Sequence, residues 1–329
     1  MPDPALEDFS VGDVIVGEPL TVTRDAIVGF AKAFDFQPFH IDETAAETTF
    51  AGRLIGSGWH TAALGMRLLQ QGPFKGGSSL GAPGIDELRW LAPVLPGDAL
   101  TLTFRVAGMR DSATKPGLGF VTAEVALDNQ RAETVLTQRF TFMLARRGTD
   151  PLPPRPVAIG EPGPVTEPDD AEILPFLRDA EIGAVRELGA YAFTAEAIVA
   201  FAQAYDPQAF HLDPEAAKRS HFGGLCASGW HTAAAYMNRM LTTRARDAAY
   251  TATRGPVPEA GPSPGFKNLR WLKPVYAGDT VRFSARLTDK RASASRPGWG
   301  LAFARNTGVN QRGEPVFAFD SAVFHRWEP

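Results

Sequence analysis

The chain is poor in cysteine, carries little surplus charge and has no long apolar run. One cysteine in 329 residues, Cys226, excludes an internal disulfide framework and suits a reducing compartment. A formal net charge of −4 supplies no basic field for nucleic acid or an anionic membrane, so neither is expected as a partner. No stretch reaches the roughly 18 apolar residues of a membrane span, and Met1–Ser10 has no basic segment followed by an apolar one. A cytoplasmic protein is the expectation. Metal-ligand spacing of Cys and His, a phosphate-cradling loop and a dinucleotide fingerprint are all missing, so neither metal nor redox cofactor is expected. What is present is ordinary globular material, 44% hydrophobic and 21% charged, at a length that suggests two cores.

The chain repeats itself. Ser57-Gly58-Trp59-His60-Thr61-Ala62-Ala63 returns unchanged as Ser228-Gly229-Trp230-His231-Thr232-Ala233-Ala234, 171 residues on. Leu88-Arg89-Trp90-Leu91 returns as Leu269-Arg270-Trp271-Leu272, now 181 residues on, so ten residues have been inserted between. The Gly/Pro-rich stretch from Arg254 to Phe266 is the expected site, since a surface loop tolerates insertion. Residues 148–175, rich in proline and acidic side chains, read as a semi-rigid linker between a first repeat at 1–147 and a second at 176–329.

Within each repeat the order of elements is legible. Thr23 and Thr194 are placed to cap a short helix whose Ile27, Phe30 and Ala31 share one face. Asp42 and Asp213 precede a second short helix. The longest helix starts near Ser57-Gly58 and runs to about Gln71, apolar over much of its surface and therefore buried. Four alternating segments follow, near Ile85–Val94, Ala99–Met109, Gly119–Asn129 and Val135–Ala145, divided by Gly, Pro and Asp turns. One early strand, a central helix and four more strands make a hotdog unit, in the α+β class, and two fused units make a double hotdog. An exposed sheet edge in each can be extended by the other, giving an intramolecular pseudo-dimer, with further homo-oligomerisation open.

The residues that suggest chemistry are Asp35 and His40, separated by Phe36-Gln37-Pro38-Phe39, with Asp206 and His211 at the same separation in the second repeat. On an unbroken helix five positions would turn the two side chains about 140° apart, so the intervening proline, on a turn, is what allows an acid and a base to converge. Alone, such a pair reads equally as a turn cap and a satisfied polar niche; its duplication favours a shared chemical role. Of the other histidines, His60 and His231 recur and could orient substrate or serve as core groups. His221 aligns with Phe50 and His325 with Leu144, which marks both as structural. Cys226 aligns with Ile55 and reads as a core residue. Ser57 and Ser228 read as N-caps, since no nucleophile elbow surrounds them.

Both repeats resemble the MaoC-like (R)-specific enoyl-CoA hydratases, also called hydratase 2, in tandem form. That family carries aspartate, any residue, asparagine, proline, any residue and histidine, with a glycine downstream that opens the hotdog helix. Asp35, Pro38, His40 and Gly58 fit it, and Pro96-Gly97-Asp98 is a similar turn. The chain departs where Gln37 and Gln208 stand for asparagine, where Pro207 precedes the glutamine, and where Met66 and Met237 stand at a helix position that is serine in some members. The resemblance implies reversible hydration of a 2-enoyl-CoA to a 3-hydroxyacyl-CoA, with CoA as part of the substrate and no separate cofactor. It implies that Asp35 and His40, and Asp206 and His211, hold and activate water while backbone N–H groups near Gly58 and Gly229 bind the thioester oxygen. Gln37 and Gln208 become candidates for orienting substrate. Such a reaction needs a base for water, a proton for C2 and a donor for the enolate oxygen. Rival readings are a dehydratase of short branched or dicarboxylic acyl-CoAs of the mesaconyl or methylmalyl type, a hotdog thioesterase, and a non-catalytic acyl-CoA-binding protein. Pre-proline geometry at Asp206 is expected to turn its carboxylate differently, leaving the first repeat the more competent.

Overall fold

The computed structural model describes residues 4–75, 80–157, 162–165, 167, 175–253, 255 and 257–327. The first repeat holds β1 (Val14–Val16), β2 (Leu20–Thr21), α1 (Arg24–Phe34), α2 (Pro38–Ile41), α3 (Glu43–Glu47), α4 (Gly58–Gln71), β3 (Gly84–Trp90), β4 (Ala99–Asp111), β5 (Leu118–Asp128) and β6 (Thr134–Ala145). The second holds β7 (Val185–Ala192), α5 (Ala195–Tyr205), α6 (Ala209–Leu212), α7 (Pro214–Arg219), α8 (Gly229–Ala252), β8 (Gly265–Trp271), β9 (Thr280–Ala292), β10 (Trp299–Asn310) and β11 (Pro315–Arg326).

Local chemistry sets these boundaries. Thr23 Oγ1 accepts from Ala26 N–H at 3.1 Å and Thr194 Oγ1 from Ala197 N–H at 3.2 Å, which fixes where α1 and α5 begin. Asp42 and Asp213 cap α3 and α7 in the same way. Along β4 every second side chain, Leu100, Leu102, Phe104 and Val106, is buried, the period expected of a strand with one face on the core. These side chains join Leu68 and Leu69 of α4 and Phe142 of β6 in one hydrophobic core.

The sheet runs β1-β4-β5-β6-β3-β8-β11-β10-β9-β7, with β2 also on β4. Its centre is the antiparallel pair β3–β8, in register from Gly84 opposite Arg270 to Arg89 opposite Gly265. One continuous sheet therefore spans both repeats, and the chain is a double hotdog. Arg270 adds a 2.9 Å ion pair to Asp86 across this junction, which accounts for its charge. The described parts of the linker follow the second repeat, where Thr280 Oγ1 donates to the Gly163 carbonyl at 3.0 Å and Arg155 N–H to the His221 carbonyl at 3.3 Å. The remainder of the linker lies outside the described residues.

The inserted ten residues are not in the loop where the sequence suggested them. Helix α4 has 14 residues and α8 has 24, a difference of ten. Gly72 caps α4 and Pro73, with no N–H to donate, ends it, whereas Thr243 and Arg244 stand at those positions in the second repeat and the helix continues.

The β3–β8 junction leaves no room for side chains at its ends. A Cβ on Gly84 would stand 2.0 Å from the Leu269 carbonyl oxygen, and one on Gly265 2.1 Å from that of Leu88. Gly84→Ala should cost about 1–3 kcal/mol, as overpacking does. Gly29→Ala, in α1 with nothing within 4 Å of the new methyl, should gain up to about 1 kcal/mol. Thermal melts compare the two; a neutral Gly84→Ala would mean that the two repeats meet in another register.

Candidate active site

Helix α1 stops at Phe34 because Pro38, four residues on, starts a new single-turn helix as its first residue. Asp35 is the cap between them, at φ −142° and ψ 64°. His40 thus stands on α2 itself and not on an irregular turn, as the sequence had suggested. Both side chains are buried. Asp35 accepts from Gln37 Nε2 at 2.9 Å and from Ser57 Oγ at 2.6 Å, so its carboxylate is held by two donors. His40 Nδ1 lies 2.8 Å from the Ile55 carbonyl, which can only accept. Nδ1 must then carry the proton, and in the neutral ring Nε2 presents a lone pair, 3.5 Å from Asp35 Oδ2. Two acceptors facing one another across 3.5 Å suit a small molecule with two hydrogens to give.

The second repeat reproduces this arrangement. Asp206 accepts from Gln208 at 2.9 Å and Ser228 at 2.6 Å, His211 Nδ1 is 2.7 Å from the Cys226 carbonyl, and His211 Nε2 is 3.5 Å from Asp206. Burial holds the His211 imidazole below its ordinary pKa, against the opposing charge of Asp206. Asp206 sits at φ −147° and ψ 69°, within a few degrees of Asp35. The expected displacement of the pre-proline carboxylate is absent: this extended φ is one a pre-proline residue already favours, so Pro207 imposes nothing new.

Gly58 and Gly229 open α4 and α8, but the space beside each is filled by protein. A Cβ on Gly58 would lie 2.6 Å from the Trp90 indole and one on Gly229 2.2 Å from that of Trp271. Those indoles donate to the Gly58 and Gly229 carbonyls at 2.8 Å. The glycines are therefore required by tryptophan packing and not by a close approach of ligand to Cα. Their N–H groups, in the unpaired first turn of a helix, have no acceptor among the described residues. Ser57 and Ser228 are N-caps, accepting from Trp59 and Trp230 N–H, and the same hydroxyls donate to the aspartates, a role the cap reading alone missed. His60 stacks on Phe30 at 4.9 Å and His231 on Phe201 at 4.7 Å, and neither is among the residues that line the two cavities beside the Asp/His pairs. Cys226 is buried beside His211, and burial pushes its thiol far above the ordinary range. Among the described residues no cluster of three or more His, Cys, Asp or Glu side chains could hold a metal ion, and no helix is long and apolar enough to cross a membrane.

The two sites differ in what lies beyond them. Asp206 and His211 open on a cavity of about 360 Å³ that meets Phe74, Phe140 and Phe142 of the first repeat. Asp35 and His40 open on one of about 870 Å³ that extends into the second repeat. Aligned strands explain the contrast. Val121, Val125, Phe140, Phe142 and Leu144 fill the first core, whereas Ala302, Asn306, Ser321, Val323 and His325 stand in their places and line the larger cavity. His325 is thus a wall of the cavity, and His221 a wall of the smaller one, so neither is merely the structural substitution that alignment with Leu144 and Phe50 suggested.

A MaoC-like domain model matches the chain twice, at residues 9–128 and 179–297, and the chain belongs to that family. A full-length likeness is found in the crystal structure of a MaoC domain protein from Chloroflexus aurantiacus, with a TM-score of 0.79 at 18% identity, covering 100% of this chain and 99% of the other, which speaks for the fold alone. Among curated proteins, the uncharacterized YdeM of Bacillus subtilis is 28% identical over 142 residues, 43% of this chain and 99% of its own length. One repeat here therefore corresponds to that whole protein. A mesaconyl-CoA hydratase from Cereibacter sphaeroides is 34% identical over 55 residues, 17% of this chain and 16% of that one.

Burial holds His60 and His231 at about 3, below the ordinary value near 6.5, with the nearby His40 and His211 adding smaller contributions. The unfolded chain takes up protons between about pH 6.5 and pH 3 that the native state refuses, so this stability is full above 6.5 and falls with pH across that window. Each histidine should contribute a slope of up to about 1.4 kcal/mol per pH unit. Denaturant melts of the wild type and of His60→Phe/His231→Phe should show a shallower loss in the variant; parallel curves would mean that these imidazoles are solvated.

Proposed function

We propose that the protein hydrates a 2-enoyl-CoA reversibly to a 3-hydroxyacyl-CoA, the (R) isomer by family resemblance, and does so chiefly at Asp35 and His40. The observation that carries this is the 3.5 Å separation of Asp35 Oδ2 from His40 Nε2, both side chains buried, a pair able to hold one water by its hydrogens when the imidazole is neutral. The dyad takes one proton from that water as its oxygen bonds to C3. The C2–C3 π electrons move toward the thioester, and the enolate oxygen forms where the free Gly58 N–H and the positive end of α4 can bind it. A proton from the dyad then closes the C2–H bond, so the elements of water are added with no change in oxidation state. Asp35 and His40 share the proton traffic as a coupled pair. Gln37 orients Asp35 and Ser57 restrains it. Family membership supports the reaction class, and the mesaconyl-CoA hydratase relative carries such an activity in its name.

Identical first contacts in the two repeats make both competent in principle, and the cavities divide the work by acyl size. The 360 Å³ cavity at Asp206 suits a short acyl group, and the 870 Å³ cavity at Asp35 a larger one. With purified protein, crotonyl-CoA and longer enoyl-CoAs should lose their conjugated absorbance without release of free thiol, and chelators should leave the rate unchanged. Asp35→Asn should remove most of the turnover, by about 10²–10⁴ for the larger substrates, as loss of a positioned acid/base does. Asp206→Asn should remove less, and the double variant should leave background. Free thiol as the product would favour a thioesterase; binding without turnover would favour an acyl-CoA-binding protein; full activity in the double variant would end the dyad mechanism.

A further inference from the structure

The larger cavity holds a cation with nothing to hold. Arg244 lines it from the part of α8 that has no counterpart in α4, and among the described residues its guanidinium has no hydrogen-bond or ion-pair partner. The carboxylates nearby are already engaged: Asp247 pairs with Arg186, and Asp35 accepts from Gln37 and Ser57. Partly withdrawn from water inside the cavity, an unpaired guanidinium with five N–H donors is costly unless something anionic meets it. Burial accordingly draws the Arg244 pKa below its ordinary value, while Asp35 acts in the opposite direction from within electrostatic reach.

The walls around Arg244 agree. Where the first repeat packs Val125, Phe140 and Leu144, the second presents Asn306, Ser321 and His325. Tyr236 Oη donates to Asn306 Oδ1 at 2.6 Å and Asn306 Nδ2 to Ser321 Oγ at 2.9 Å, a connected polar wall in place of an apolar one. His325, held at about 3 by burial and by the charge of Arg244, is neutral and can donate a hydrogen bond without adding a second charge. Apolar side chains such as Met237, Met240, Phe266 and Phe319 also line the cavity and can receive the alkyl part of an acyl group, but an alkyl chain that ends at Arg244 leaves the guanidinium unpaired.

We propose that Arg244 is a specificity-determining residue that receives a carboxylate carried on the acyl group, beyond the C2–C3 double bond, so that the preferred substrates are enoyl thioesters of dicarboxylic acids. This rests on the hydration reading, because it takes Asp35 and His40 as the reacting end of the same cavity. Charge-assisted, bidentate contact with a guanidinium fits a carboxylate and rejects its ester.

The test compares matched pairs on the wild type: glutaconyl-CoA against its monomethyl ester, and 2-octenedioyl-CoA against its methyl ester and against 2-octenoyl-CoA. Hydration is followed by loss of the conjugated absorbance. At least one free acid should exceed its ester in kcat/KM by about 100-fold, equal to about 2.7 kcal/mol. Arg244→Met should collapse that ratio toward one, mainly through KM, and Arg244→Lys should restore part of it, with thermal melts verifying that both variants fold. Equal rates for acids and esters, or a ratio untouched by Arg244→Met, would overturn the proposal while leaving the hydration reading intact. Hydration of none of these thioesters would sink the hydration reading and this one with it.

Discussion

The antiparallel pairing of β3 with β8 is the constraint on which the rest of the molecule depends. It turns two sheets into one and fixes how the repeats face each other, with Gly84 and Gly265 each about 2 Å from where a side chain would strike the opposite backbone. Because the repeats are locked face to face, neither candidate site is completed by its own repeat. The dyad of the first opens into the interior of the second, and that of the second onto the interior of the first.

This reciprocal arrangement sets two sites of the same make before two different interiors. The two Asp/His pairs repeat one another contact for contact, down to the serine hydroxyl on each aspartate at 2.6 Å and the carbonyl that fixes each histidine tautomer. The interiors have diverged. The first is a packed aromatic and aliphatic core, and the second has lost volume at five facing positions and gained polar groups. A core emptied in this way forgoes the dispersion and transfer energy that filling would give. Its stability must come from elsewhere, and the rings gathered between α1, α4, α5 and α8 are one source. Phe30, Phe34, Phe201 and Tyr205 enclose His60 and His231, whose desolvation costs are acceptable only because both stay neutral.

Polar bookkeeping around the dyads follows the same logic of completeness. Asp35 and Asp206 are buried, and each has a glutamine and a serine donor, which is how a carboxylate stays tolerable away from water. The glutamines that depart from the family's asparagine keep that contact at 2.9 Å in both repeats. Arg244 departs from this completeness: unlike Arg53, which also lines the larger cavity but is exposed, it is drawn back from solvent without a partner among the described residues.

The sequence by itself determined the local events. Thr23, Asp42 and Ser57 announced helix starts that the structure keeps to the residue, and the four alternating segments became β3–β6 within a few positions, because caps and a two-residue period depend on neighbours along the chain. Duplication singled out Asp35 and His40, since only residues under a common demand recur at one spacing. Only the tertiary structure decided where the ten extra residues go, because a gap can be slid along an alignment whereas Pro73 and Arg244 have different effects on a helix already under way. It also decided that Trp90, and not ligand, fills the space beside Gly58, and that His325 faces a cavity in place of a packed wall. Those outcomes depend on which faces of two distant segments meet, and no spacing within one segment encodes that.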